Sequence, residues 1–196
     1  MLDKLFKKKP DNEVTGLERM KAIEGSGSAE LAATLLTAPT ALLQLTEEEA
    51  RVVVSYMKPR KIPEGTAFIK EGDTQDTGYM VLVLDGEVTV ENIVVSRTSA
   101  VTVNVLGPGS LIGEMGLVDG AARSATCTAT THVRCAILSR DALEKLMNDE
   151  PHIGGKLMMA VSLRIAQRLR DTADKLRLYA QLTQAMQQEI DRLMPT

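Results

Sequence analysis

The chain changes its hydrophobic rhythm twice. Between Ile62 and Leu138, short β-branched runs alternate with Gly, Pro, Asp and Asn. That alternation predicts many short strands joined by tight turns, the signature of a sandwich, roll or barrel. Tyr79 to Leu84 and Glu87 to Val95 flank Asp85-Gly86. This pair predicts a hairpin, because its turn needs positive φ. Val101 to Leu106 reads as another strand, closed by Gly107-Pro108-Gly109. Ala125 to Thr130 and Val133 to Leu138 read as a last hairpin.

On either side the rhythm is helical. Met1 to Glu24 is polar and charged, and Gly25-Ser26-Gly27-Ser28 reads as a flexible linker. Ala29 to Thr37 reads as a helix, with Pro39 beyond it. Thr46-Glu47-Glu48-Glu49 has the form of a capping box, so a helix should run from about Glu47 to Met57 and stop at Lys58-Pro59. Ser139 can cap a short helix ending near Met147. Pro151 suits the first position of a long one, because its missing N–H costs nothing there. Met158, Ser162, Ile165, Leu169, Thr172, Leu176, Tyr179, Thr183, Met186, Ile190 and Leu193 recur at alternating steps of four and three. Heptad spacing sustained this far predicts a coiled coil, and a parallel two-fold homodimer is its simplest closure. The expected architecture is therefore mainly β with flanking helices: a sandwich, roll or barrel plus a long C-terminal dimerisation helix. Its expected divisions are a basic, flexible tail at 1–28, the roll with its N-terminal helices at 29–148, and the long coiled-coil helix at 149–196.

Composition narrows the function. The 196 residues carry a formal net charge of −3, with only 3% aromatic residues and no Trp. Neither general attraction to nucleic acid nor a base-stacking platform is expected. No apolar run reaches the roughly 20 residues needed to span a bilayer, and no apolar stretch follows the basic Met1–Lys9 as in a signal peptide. A cytoplasmic location is expected. Met1, Leu2, Leu5 and Phe6 would share one face of a helix, which makes the N-terminal peptide either an element that docks on a partner or an anionic membrane surface, or a solvated tail. Cys127 and Cys135 read as small core hydrophobes that face each other across the last hairpin. His132 sits at a predicted turn and His152 at a helix start, too poorly placed to share a metal. Neither a metal site nor a catalytic residue nor a cofactor is expected, and so no enzyme.

The candidate chemistry lies in Gly107 to Thr126, GPGSLIGEMGLVDGAARSAT. A helical turn after Gly113, through Glu114 and Met115, offers backbone N–H groups to an anion. Arg123 can hold two phosphate oxygens with one planar fork, Ser124 adds a hydroxyl donor, and Glu114 supplies an acceptor suited to a sugar hydroxyl. Gly113, Gly116 and Gly120 let backbone come close to a ligand. A bare turn and a plain Glu–Arg salt bridge would use the same residues.

Here the resemblance becomes specific. The stretch resembles the phosphate-binding cassette of the cyclic-nucleotide-binding domain family, whose members serve bacterial cyclic AMP receptors and kinase regulatory subunits. Gly113, Glu114, Gly116, Leu117, Arg123 and Ser124 match its pattern, with Gly65, Gly72-Asp73, Gly86 and Gly107-Pro108-Gly109 at roll turns, over about Leu43 to Leu176. The resemblance narrows the expected fold to a jelly-roll-like β-roll, and implies that Glu114 binds the ribose 2′-hydroxyl and Arg123 the cyclic phosphate. Ala122 stands where many members have Pro, at a contact made by backbone. Ser124 favours cyclic AMP over cyclic GMP. Leu169 to Lys175 is similar to the ligand-facing part of the receptors' central helix: Thr172 is kept, Ala173 replaces a Ser that reaches the opposite subunit, and Arg168 matches a nearby Arg. Only Met194-Pro195-Thr196 follow the seam, so direct DNA binding is not expected.

The expected function is a stand-alone regulator that senses a cyclic mononucleotide and signals to a protein effector through its dimer helix. The alternative is a dimeric scaffold whose pocket is degenerate or takes another cyclic (di)nucleotide. Arg123→Ala is expected to remove binding and spare the fold.

Overall fold

A computed structural model describes residues 16–38, 45–93 and 100–193. The N-terminal peptide, Pro39, the end of the Glu87–Val95 run and Met194-Pro195-Thr196 lie outside the described residues. Three helices come first: α1 (Gly16–Ile23), α2 (Gly27–Leu36) and α3 (Glu47–Ser55). Eight strands follow: β1 (Lys58–Ile62), β2 (Ala67–Ile69), β3 (Tyr79–Asp85), β4 (Val88–Ile93), β5 (Ala100–Leu106), β6 (Leu111–Ile112), β7 (Thr126–Ala129) and β8 (Val133–Ser139). A short helix, α4 (Glu114–Asp119), separates β6 from β7. Two helices close the chain, α5 (Arg140–Asp149) and α6 (Pro151–Leu193).

The strands form two antiparallel four-stranded sheets, ordered β1-β8-β3-β6 and β2-β7-β4-β5. Apolar residues of both sheets, among them Ile62, Ile69, Val81, Val83, Val88, Cys127, Ala129 and Cys135, make one buried cluster. This is the β-roll that the resemblance implies, with the long C-terminal helix that the heptad spacing predicts. β3 is buried on both faces. Val81 and Val83 join the cluster between the sheets, so by alternation Met80 and Leu82 face the other way, toward the side where α2 touches β3.

Several expectations are corrected. Asp85-Gly86 does turn with positive φ, +90° at Gly86, but it joins no hairpin. β3 pairs with β8 and β6, and β4 with β5 and β7, so the chain changes sheet at Gly86. The β7–β8 connection also changes sheet. The two corners lock together: Thr130 N–H donates to the Glu87 carbonyl at 3.0 Å, and Glu87 N–H to the Thr131 hydroxyl at 3.0 Å. A Cβ at Gly86 would stand 2.5 Å from the His132 carbonyl oxygen. Cys127 and Cys135, both buried, therefore lie on different sheets rather than across a hairpin. The Cys135 thiol donates to the Arg60 carbonyl at 3.4 Å, and burial pushes its pKa up to about 11. α3 does stop before Lys58-Pro59, and that pair also opens strand β1, ahead of the Ile62 at which the alternation begins; β1 lies at a sheet edge, where a Pro needs no ladder N–H.

The divisions shift too. Residues 16–23 are helical and α1 packs on α3, while Ser26 is the N-cap of α2, so the supposed linker is a turn between helices. The guanidinium of Arg19 lies over the Tyr56 ring at 4.7 Å. The first compact unit runs through Val161 and the second begins at Ser162. The start of α6 belongs to the first unit because Leu157, Ala160 and Val161 are buried. Gly154 is the point of close approach, where a Cβ would come within 2.9 Å of Met147. In the second unit Leu169, Leu176, Tyr179, Met186, Ile190 and Leu193 of α6 are exposed. No described helix is long and apolar enough to cross a membrane.

Candidate functional site

The cassette starts where β6 ends. Gly113 caps α4 in the left-handed region, at φ +81°, and Gly120 ends it at φ +67°. Such values favour glycine. Position 113 has a second constraint: a Cβ there would stand 2.7 Å from the Arg123 Nη1. At Gly116 it would stand 2.5 Å from the Thr77 carbonyl oxygen and 2.8 Å from Arg123 Nη1. Both glycines make room for one guanidinium.

That guanidinium is buried, with Arg123 only 6% exposed. Its Nη1 donates to the carbonyls of Tyr79 and Gly113, both at 3.2 Å. Its Nη2 donates to the carbonyls of Asp76, at 3.3 Å, and Tyr79, at 3.2 Å. The Tyr79 ring lies beneath it, 4.3 Å from the guanidinium carbon to the ring centroid. A cation over an aromatic face is attracted by the ring quadrupole. The Tyr79 hydroxyl donates to the Phe68 carbonyl, and burial raises its pKa while the Arg123 charge opposes the rise. The backbone of Arg123 is held as well. Its N–H donates to the Asp73 carbonyl at 2.9 Å and its carbonyl accepts from Gly72 N–H at 2.8 Å. Asp76, whose carbonyl faces the guanidinium, is the one non-glycine with positive φ among the described residues, at +49°. Such strain persists where the surroundings over-determine it.

Of the eight expected ligand residues, the structure gathers Gly113, Glu114, Met115, Ala122, Arg123 and Ser124 around α4 and the turn into β7. Glu114 is fully buried. Met115, Ala122 and Ser124 are exposed. Arg168 and Thr172 lie on α6 in the second unit, both exposed, where the Thr172 hydroxyl donates to the Arg168 carbonyl at 2.8 Å.

The expectation that Arg123→Ala spares the fold does not survive this geometry. The side chain joins three backbone segments, at Asp76, Tyr79 and Gly113. Its removal strands buried carbonyls at about 1–3 kcal/mol.

Three groups that sequence reasoning missed complete the cassette. The Thr77 hydroxyl donates to the Gly120 carbonyl at 3.0 Å. Tyr79 supplies the ring and carbonyl described above. Arg140, the first residue of α5, donates to the carbonyls of Gly116 at 3.1 Å and Leu117 at 2.8 Å. No local pattern announces these contacts, because each partner is distant in sequence and, for Thr77 and Arg140, is a backbone carbonyl. Among the described residues, no three of His, Cys, Asp and Glu gather as metal ligands.

Residues 59–150 match the family model of the cyclic nucleotide-binding domain. The fold is similar to a solved cyclic nucleotide-binding domain from Methylobacillus flagellatus, 30% identical, at a TM-score of 0.66 over 77% of this chain and 83% of that one. The chain is 31% identical over 127 residues to the Cyclic AMP receptor protein of Thermus thermophilus, covering 65% of this chain. It is 26% identical over 137 residues to a CRP-like cAMP-activated global transcriptional regulator of Mycobacterium tuberculosis, covering 69% of this chain. In both cases it spans 56% of the relative's length. Sheet order, the glycine-lined cassette around a buried Arg123 and these similarities agree: the chain belongs to the cyclic nucleotide-binding domain family and contains a cyclic nucleotide-binding regulatory domain.

Proposed function

We propose that this domain senses cyclic AMP, holds its cyclic phosphate at Arg123, and passes the signal to a protein effector through a homodimer of α6. The observation that carries the reading is the Arg123 guanidinium, buried in a cassette whose Gly113 and Gly116 exist to admit it. At present that cation donates to neutral carbonyls. A phosphodiester would replace some of them with bonds to an anion, which bring opposite charges together and can be bidentate. Ser124 would add a hydroxyl to the phosphate and Glu114 would take the ribose hydroxyl. Gly113, Met115 and Ala122 would contribute main chain around them.

Cyclic AMP is favoured by Ser124 and by the names of the Thermus thermophilus and Mycobacterium tuberculosis relatives. The role of Arg168 and Thr172 toward the base rests on the resemblance alone. The homodimer is supported by the apolar stripe of the second unit, which this chain does not bury by itself. A second copy presenting the same stripe would cover it with matching heptads.

The test is a calorimetric titration of the full chain with cyclic AMP, cyclic GMP and a cyclic dinucleotide, repeated with Arg123→Lys. Lysine keeps the charge but loses the fork. Micromolar or tighter binding of cyclic AMP, weakened at least tenfold by Arg123→Lys in a folded protein, supports the reading. A folded chain that binds none of the three would be a scaffold with a degenerate pocket.

A further inference from the structure

α4 is too short to satisfy its own ends. The last four carbonyls of any helix lack intrahelical partners, and here the helix has only six residues. Gly120 N–H returns to the Gly116 carbonyl at 3.0 Å. Ala121 N–H, the next donor along the chain, goes instead to the Asp119 carboxylate at 2.9 Å. Arg140 adds donors from outside the helix. Its Nη2 donates to the carbonyls of both Gly116 and Leu117. A cation at a helix C-terminus also faces the negative end of the helix dipole.

The same residue is anchored at its other end. The Arg140 N–H donates to the Gly78 carbonyl at 2.7 Å, beside the Thr77 and Tyr79 that contact the cassette. Two glycines give it passage: a Cβ at Gly120 would stand 3.2 Å from both terminal guanidinium nitrogens, and one at Gly78 would stand 3.3 Å from the Arg140 Cβ. Two arginines therefore hold α4. Arg123 bonds the carbonyl of Gly113 before its first residue, and Arg140 bonds carbonyls in its later part.

We infer that Arg140 is a positioning residue for the nucleotide site: it fixes α4, and through α4 the buried Glu114 and the Gly113 carbonyl, to the first turn of α5. Arg140 touches no ligand in this account. It sets the cassette in its binding geometry before a ligand arrives, which spares the ligand the cost of ordering it. The inference rests on the reading of the cassette as a cyclic-nucleotide site.

The test compares wild type, Arg140→Met and Arg140→Lys in the full chain, by amide hydrogen exchange without ligand and by titration with cyclic AMP. Methionine keeps an unbranched chain and removes every donor, while lysine restores one cation. Arg140→Met should speed exchange from Leu117 to Ala121 at least tenfold, leave β3 and β8 unchanged, and weaken cyclic AMP about tenfold. Arg140→Lys should recover part of both effects. Wild-type exchange in α4, or an acceleration spread evenly over β3 and β8, would overturn the inference. So would faster α4 exchange with undiminished affinity. If wild type binds no cyclic nucleotide, the function proposed above fails. The exchange arm then decides alone, local acceleration supporting the hold on α4 and its absence overturning it.

Discussion

Gly113–Arg123 and the part of α6 beyond Val161 both carry a regular pattern, and the chain treats the two patterns in opposite ways. In the cassette, the patterned residues are consumed inside one unit: Arg123 and Glu114 are buried, and Gly113 and Gly116 lie against the guanidinium. Along α6, Leu169, Leu176, Tyr179 and Ile190 lie exposed. A pattern closed by the chain's own backbone makes binding and stability inseparable, as the double duty of Arg123 shows. A pattern left open separates them, because the residues that would hold a second copy do nothing for the roll.

The strongest way to break this contrast is Gly116→Ala. The new Cβ would meet the Thr77 carbonyl at 2.5 Å, and a backbone atom cannot swing aside as a side-chain tip can. Overpacking of this kind costs about 3 kcal/mol. Urea unfolding should report the loss, together with loss of cyclic AMP binding. A Gly116→Ala protein as stable as wild type would mean that α4 can be displaced at little cost.

Leu176→Asp examines the open pattern. The side chain is 64% exposed, so the fold should feel little of the change. Sedimentation should instead show self-association weakened at least tenfold, because two buried carboxylates would face each other at one heptad position. Unchanged thermal unfolding with a lost dimer would sharpen the contrast. Unchanged association would place the dimer contact elsewhere.

How much of this was legible in the sequence follows the same division between local and distant chemistry. Thr46 and Glu49 were readable because each bonds the other's backbone within one turn: the Thr46 N–H donates to Glu49 at 2.9 Å and the Glu49 N–H to Thr46 at 3.2 Å. The match of Gly113, Glu114, Arg123 and Ser124 to the family pattern was readable for a similar reason, since one short segment carries it. Asp85-Gly86 disclosed its positive φ but not its destination. A turn signal describes two backbone dihedrals, whereas the partner of β3 is set by pairing with β8, from Asp85↔Arg134 to Tyr79↔Ser139, far along the chain. β1 escaped notice because Lys58 to Lys61 are all exposed, so an edge strand shows no alternation. Arg140 escaped because its partners are carbonyls, which every residue possesses.

The smallest expected effect lies where α6 leaves the roll. Lys156, five residues before the end of the first unit, donates to Glu49 Oε1 at 2.6 Å, while Oε2 of the same carboxylate accepts the Thr46 N–H. The Lys156 bond, then the Thr46 N–H, hold the Glu49 pKa below its ordinary value of 4.5. A carboxyl whose folded pKa lies below its unfolded one binds its proton more tightly when unfolded. Its contribution to stability is therefore complete above the unfolded value, and it fades as the pH falls through the folded one. Glu49→Gln should melt slightly below wild type at pH 7, and the gap should close on acidification below pH 4.5. A gap that persisted unchanged in acid would mean that the Glu49 charge contributes nothing there and that the difference is one of packing. The base of α6 would then be held by Leu157, Ala160 and Val161 alone, and the boundary between the closed and open patterns would be drawn by apolar burial without help from charge.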